Sequence, residues 1–462
     1  MQHRLQHRMR CAALLAVAQL AAGCAVYRPL PLARAPQLAR QLSDVTTRLP
    51  AGTSAPHIDL SRALTLGDIG WLALLNDPDL AAQRGQLDAA RADLLQASLL
   101  PNPSASVSYA AFLGGPGATP AWSASLTEDI AALITYHERK QAARAAERQV
   151  NAQLLWDEWQ VAEKARLTAL DLYWDERSLG FATREHDVLG NEIDEVRTAV
   201  AAGNLDASAL APLEAARATA DQSLASLRIA TLGGWQALDA LLDLDPQVRF
   251  PIAPPDLAPL PSDLSALIAG LPERRPDLIA LQLGYRSADR SVRAAILGQF
   301  PALVLGGTWG QDTTNVRSAG PTATFDLPIF NRNQGQIAQS RATRLLLHEQ
   351  YQARLDTAAG EVRSLAAQAR RLATDIEEAQ DAAASAEALA RSARAAYAQG
   401  NLDRRSLADY ETAVLERELA AASLQRSRGE VAITLTVSLA RGLPDALVIP
   451  PGRAGIPRVR TQ

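Results

Sequence analysis

The chain is poor in the residues that catalysis and metal binding draw on. It holds two cysteines, Cys11 and Cys24, and two methionines, Met1 and Met9, all within its first 24 residues. Beyond them no disulfide can form, and no thioether is present to relay Cu(I). His57, His137, His186 and His348 lie far apart, and none stands in a His-x-x-x-His or Cys/His spacing that suggests zinc. No Walker-type loop or Gly-x-Ser-x-Gly elbow occurs. Glu185-His186-Asp187 is the one dense acid–imidazole cluster, and successive helix residues point in different directions, which favours a structural role. The sequence therefore reads as no enzyme, with no metal and no cofactor. A net charge of −4 without a basic block argues against nucleic acid as a partner. After the N-terminal segment no apolar run is long enough for a membrane helix, so a membrane-crossing part must be a β-barrel. Aromatics are only 5% of a chain that is 48% hydrophobic and rich in alanine, a mix suited to long, closely packed helices.

The N-terminus has the layout of an export signal. A basic segment, Met1–Arg10, precedes the apolar run Cys11–Leu20 and the small-residue stretch Ala21-Ala22-Gly23-Cys24. Ordinary cleavage needs only the small residues, so the cysteine asks for its own explanation. The stretch resembles a bacterial lipobox, which implies lipidation of Cys24 as the mature N-terminus. Leu20 lies one place further from the cysteine than is usual there. Ala25 is not the aspartate that retains lipoproteins at the inner membrane. A plain periplasmic signal with an incidental cysteine is the alternative. Cys24 would then be a lone thiol in an oxidising compartment.

Self-comparison shows that the chain is written twice. Gly203-Asn204-Leu205-Asp206 recurs 197 residues later as Gly400-Asn401-Leu402-Asp403. At the same offset Leu210 matches Leu407, Glu214 matches Glu411, Asp129 matches Asp326 and Arg144 matches Arg341. Upstream, Pro78-Asp79-Leu80 matches Pro276-Asp277-Leu278, and Pro101 matches Pro301. Each copy predicts a short helix, a second helix opened by proline, two short strands, a very long helix, a glycine turn and a last helix.

In the second copy Leu365, Ala369, Leu372, Ile376, Ala379, Ala383, Ala386, Ala390, Ala393 and Tyr397 step by four and three. That 3.5-residue period predicts a left-handed coiled-coil seam. A cytoskeletal rod would show the same seam. From Asn333 to Gln399 there is no proline, and at ~1.5 Å per residue such a helix runs about 100 Å. The predicted strands are about 104–112 and 121–127, then about 302–309 and 323–327, with polar loops between. Trp122, Ala124 and Leu126 alternate with Ser123, Ser125 and Thr127, as suits a strand between lipid and water, or a soluble hairpin. Four strands cannot close a barrel, since such barrels start at about 8 strands, so a pore demands an oligomer.

The order of these elements resembles the TolC family of outer-membrane efflux proteins over about residues 60–445. The resemblance is carried by Arg275-Pro276-Asp277-Leu278, by Asp326-Leu327-Pro328-Ile329-Phe330, and by Tyr397-Ala398-Gln399-Gly400 with Leu407 beyond. It implies a mainly α fold with a small β part: a homotrimer sharing a twelve-stranded outer-membrane barrel continued by a periplasmic α-helical coiled-coil barrel. It also implies a periplasmic adaptor and an inner-membrane pump of the resistance-nodulation-division type as partners. The tip turns Gly203, Asn204, Leu205 and Gly400, Asn401, Leu402 would dock the adaptor. The glycines also serve as helix stops, which leaves the leucines as the better docking residues. The family's gate uses aspartates six and nine residues past the glycine. Asp409 matches, and Ser406 does not. Tyr397 matches the family tyrosine, while Leu402 stands where an arginine is often found, with Arg404 and Arg405 close by. Asp409 is otherwise a solvated helix residue.

These readings divide the chain into a lipoprotein signal (1–23), a lipidated extended segment (24–60), a first repeat (61–244, strands about 104–127, helical hairpin about 130–240), a Pro-rich linker (245–261), a second repeat (262–445, strands about 302–327, hairpin about 333–441) and a disordered tail (446–462). The function implied is a passive outer-membrane exit duct for drugs or metal cations. A type I protein-secretion duct and a non-pore periplasmic scaffold are the alternatives.

Overall fold

The computed structural model describes residues 27, 29–47, 58–111, 113–114, 119–301, 303–442, 444 and 447. The described residues up to Leu38 are exposed and form neither helix nor strand.

Each repeat opens with short helices whose ends are fixed by local chemistry. Helix α1 (Leu66–Asn76) starts with a capping box, in which the Thr65 side chain accepts from the Asp68 N–H and the Asp68 carboxylate accepts from the Thr65 N–H. Asp77 ends α1 and caps α2 (Pro78–Ser98), with Pro78 in the first turn, where its missing N–H costs nothing. Strands β1 (Ser104–Ala110) and β2 (Ala121–Asp129) lead straight into α3 (Ile130–Ala201), capped by Asp129. Helix α4 (Leu210–Leu242) returns along it.

The second repeat follows the same plan, with α5 (Leu264–Ala269), α6 (Leu271–Arg274), α7 (Pro276–Leu297), β3 (Leu303–Gln311), β4 (Arg317–Phe325), α8 (Gln334–Ala398) and α9 (Arg404–Ser438). At ~1.5 Å per residue the 72 residues of α3 run roughly 100 Å. The apolar core sits where α1, α2, α3 and α4 meet, around Leu64, Leu72, Leu170 and Leu238. Single parallel bridges tie Ile252 of the linker to Leu64, and Leu244 at the end of the first repeat to Ala39.

The four strands form one antiparallel sheet in the order β1-β2-β3-β4, so the two repeats join at β2–β3. Strand β4 begins at Arg317, six residues before the alternation at Ala323 suggested, and stops before Leu327. Ser318, Gly320 and Pro321 read as a loop in isolation. Their pairing with Gly310, Thr308 and Gly307 of β3 holds them in the sheet. Proline is tolerated there because β4 is an edge strand. Phe112, assigned to the first strand, lies outside the described residues.

Candidate channel surfaces

The register sorts the sheet into two chemically distinct faces. One carries Val107, Tyr109, Trp122, Leu126, Leu305, Trp309 and Phe325, all exposed. The other carries Ser106, Ser108, Ser123, Ser125, Thr127, Thr308, Thr322 and Thr324. On the polar face Ser106 bonds Ser125 and Ser108 bonds Ser123, both at 2.8 Å. The apolar face puts Tyr109, Trp122 and Trp309 at one end and Phe325 at the other, the placement of aromatic girdles at the two edges of a lipid-facing band. Both sheet edges, β1 and β4, are without a neighbouring strand among the described residues. Such edges call for pairing with another chain.

At the far end of the long helices the two glycine turns are structural copies. Gly203 and Gly400 both sit at φ +76°. Gly203 N–H donates to the Val200 carbonyl and Asn204 N–H to Ala199. Gly400 N–H donates to Tyr397 and Asn401 N–H to Ala396. These are paired Schellman closures, which need a left-handed residue and hence glycine. Leu205 is exposed and Leu402 half-buried.

Asp403 caps α9, accepting from Ser406 N–H at 2.8 Å. Arg404 stands over the Tyr397 ring at 6.0 Å and reaches Glu195 and Glu411, each at 3.6 Å. Arg394 joins Glu411 at 3.2 Å and Glu387 at 3.2 Å. Sequence reasoning noted Arg404 only as close to Leu402, where an arginine is often found, and did not foresee that it ties α3 to α9. Asp409 is exposed. Its charge lies within reach of Glu192 of α3, which is 2% exposed, with one carboxylate oxygen lacking a hydrogen-bond partner. Burial first, then the Asp409 charge, pushes the Glu192 carboxyl up, against the opposing pull of Arg405 and Arg404. Glu192 was not singled out from sequence; an acid inside the apolar stripe Leu189, Ile193 and Val196 was the available signal. His186 contacts its neighbour Asp187 at 3.1 Å, and it bridges to α4 through Asp221 at 3.2 Å and Arg217 at 2.8 Å. Cys24 lies outside the described residues.

Midway along the hairpins α3 packs on α9. Arg426 there meets three carboxylates: Asp171 at 2.9 Å, Asp175 at 2.8 Å and Glu430 at 3.0 Å. Burial, only partly offset by Arg426 and reinforced by Glu430 and Asp175, pushes Asp171 up to about 6. The folded chain thus binds a proton more readily than the unfolded chain, where an aspartate titrates near 3.8. This group adds stability as pH falls through 6 toward 4, and that stability is lost again as pH rises. Hydrogen exchange of α9 amides, corrected for intrinsic rate, should show a tighter seam at pH 5 than at pH 7. Asp171→Asn should remove part of that slope, and an unchanged slope would exclude Asp171 as its source. Among the described residues no cluster suited to a metal ion occurs, and no helix is long and apolar enough to cross a membrane.

Comparison with known proteins places this architecture. The family model described as outer membrane efflux protein matches residues 267–441. The outer membrane protein OprJ of Pseudomonas aeruginosa is 28% identical over 256 residues, covering 52% of this chain and 50% of OprJ, so the match spans about half of that curated relative. The open state of the Neisseria gonorrhoeae MtrE outer membrane channel superposes with a TM-score of 0.69 at 19% identity, over 89% of this chain and 99% of that one. The Campylobacter jejuni CmeC outer membrane channel superposes at 0.68 and 16% identity, over 91% and 96%. The second repeat is thus similar in sequence to outer membrane efflux proteins, and the fold over both repeats is that of these outer membrane channels.

Proposed function

We propose that this chain is the outer-membrane channel subunit of a tripartite efflux system, a passive duct for small toxic compounds such as drugs or metal cations. The observation that carries this reading is the four-stranded sheet with one lipid-suited face, one water-suited face and two open edges. Three copies would supply twelve strands and close the edges into a barrel, within the range of outer-membrane barrels, which start at about 8 strands. In this reading the homotrimer spans the outer membrane, is acylated at Cys24, and extends α3, α4, α8 and α9 into the periplasm. The segments 61–244 and 262–445 act as two repeats of one protomer. Gly203, Asn204, Leu205, Gly400, Asn401 and Leu402 meet a periplasmic adaptor, and an inner-membrane pump of the resistance-nodulation-division type supplies the energy. Conductance of the purified full-length protein in planar bilayers tests the channel reading, and a protein that opens no conductance would end it.

Asp409 and Tyr397 are assigned to the periplasmic gate. The assignment is supported by the exposed Asp409 beside the ionic ties of Arg404. Like charges gathered near a three-fold axis repel one another and attract cations. Asp409→Ala should therefore raise single-channel conductance and weaken block by divalent cations; no change in either would remove Asp409 from the gate. Cys24→Ser should abolish labelling by radioactive palmitate while a folded trimer persists, and labelling that survives would place the acyl chain elsewhere.

A further inference from the structure

The internal repeat extends to a side-chain contact near the tip. Arg197 approaches Glu214 at 3.8 Å, and Arg394 approaches Glu411 at 3.2 Å. Both members of the second pair lie 197 residues past the first, as Gly400 lies past Gly203. The same operation carries α3 onto α8 and α4 onto α9.

Within the chain α3 packs against α9 along a long seam, whereas α8 and α4, the counterparts of those two helices, share no packed seam. The intrachain seam includes an apolar cluster of Phe181, Leu415 and Ala422, and three further contacts along it differ from their mapped counterparts. Arg426 meets Asp175. Gly429 lies so close to Leu170 that an added Cβ would stand 2.6 Å from a leucine methyl. Glu192 lies within reach of the Asp409 charge. Shifted by 197 residues, Arg426 becomes Ile229, Gly429 becomes Leu232 and Glu192 becomes Leu389. All three are large aliphatics left exposed in the single chain, at 72%, 55% and 57%. Their mapped partners are Leu372, Ala367 and Pro212.

The substitutions between the two seams are complementary. An arginine–aspartate pair becomes isoleucine–leucine. A glycine hole under a leucine knob becomes a leucine knob over an alanine hole. Two neighbouring carboxylates become leucine and proline. Exposed aliphatics of this size on an otherwise polar helix mark a surface that another chain covers, and the repeat identifies the cover as a surface the chain itself owns.

We propose that α4 of one copy packs on α8 of the next through Ile229 against Leu372, Leu232 against Ala367 and Pro212 against Leu389, so that these exposed aliphatics are covered by a second copy of the chain. This rests on the trimeric reading above. Burial of these aliphatics between copies would be insensitive to ionic strength, unlike the Arg426 ion pairs within the chain.

Paired cysteines test the arrangement in the full-length, detergent-purified protein. Ile229→Cys with Leu372→Cys, and separately Pro212→Cys with Leu389→Cys, should oxidise to covalent dimers and trimers on non-reducing gels. The four single variants control for Cys24. Disulfides form only where Cβ atoms come within about 4.5 Å, so the readout is specific to register. Native mass is measured on the same samples. A trimer by mass in which neither pair cross-links overturns the seam and leaves the trimer standing. A monomer by mass overturns both. Cross-linking confined within single chains overturns the seam, because it places α8 against its own α4.

Discussion

Replacing Arg275 by alanine should destabilise the upper part of the second repeat by about 3–5 kcal/mol, the range for breaking a buried ion pair from one side. Arg275 is 1% exposed. Its guanidinium donates to Asp277 at 3.0 and 2.7 Å and stacks on Trp156 at 4.8 Å. Arg354 of α8 donates to the same carboxylate at 2.7 Å. Asp277 opens α7, whose far end feeds β3. Burial pushes its carboxyl up, but the hydrogen bonds and charges of Arg275 and Arg354 outweigh this and hold it below the usual range. That stability is present above an ordinary aspartate value and disappears only as pH falls below it. Arg275→Ala leaves the buried carboxylate with Arg354 as its one cation and the Leu278 N–H as a further donor, so acid should open α7 at a higher pH than in the parent protein. Hydrogen exchange of α7 amides reads both effects. Arg371→Ala is the control, because Arg371 is 73% exposed beside Asp375, and exposed pairs contribute ~1 kcal/mol or less. Equal protection in the two variants would show that the Arg275 pair contributes nothing beyond a surface contact.

The fold was largely legible because its determinants are local or periodic. Proline marks the start of α2 and α7, the 3.5-residue apolar step marks the hairpins, and two glycine turns mark their tips. Each acts within a few residues of its own position, so sequence alone exposes it. The sheet was legible only in part. Alternation identified β2, but nothing in Ser318–Pro321 distinguishes strand from loop until β3 lies alongside. The β2–β3 pairing joins residues 184 apart, as with Thr308 and Ala124, and no local pattern encodes that.

The ionic contacts were illegible for the same reason. Arg426 and Glu430 are spaced for a helical pair and could be read, whereas Asp171 and Asp175 lie some 250 residues away. Arg275-Pro276-Asp277 stood out as a motif, but its meaning depends on Arg354 and Trp156, which come from two other helices. At the tip, Tyr397 and Asp409 could be singled out from sequence, while Arg404 over the Tyr397 ring and Glu192 near Asp409 could not. A charged residue on a helix face looks solvated until the facing helix is known.

The exchange of knob and hole between the two seams carries the second large effect. Gly429→Leu alone should open the α3–α9 seam. Its first side-chain carbon would lie 2.6 and 2.7 Å from the methyls of Leu170, which is 0% exposed and cannot rotate into solvent. Overpacking of this kind costs about 1–3 kcal/mol, occasionally more. Leu170→Ala alone should cost about 2–5 kcal/mol, through lost burial and the cavity left behind. Combined, the two changes recreate the leucine-over-alanine arrangement assigned to Leu232 and Ala367 between copies. The cavity of one then receives the side chain of the other, and the double variant should recover part of both losses. Contacting residues couple by about 0.5–3 kcal/mol in such cycles. The readout is hydrogen-exchange protection along α3 and α9 in the two single variants, the double variant and the parent. Losses that merely add would mean that the seam has no room to trade a knob for a hole, because the backbones of α3 and α9 are fixed at the spacing that glycine allows. Recovery would mean that either arrangement, a glycine under leucine or a leucine over alanine, fits the same helical frame.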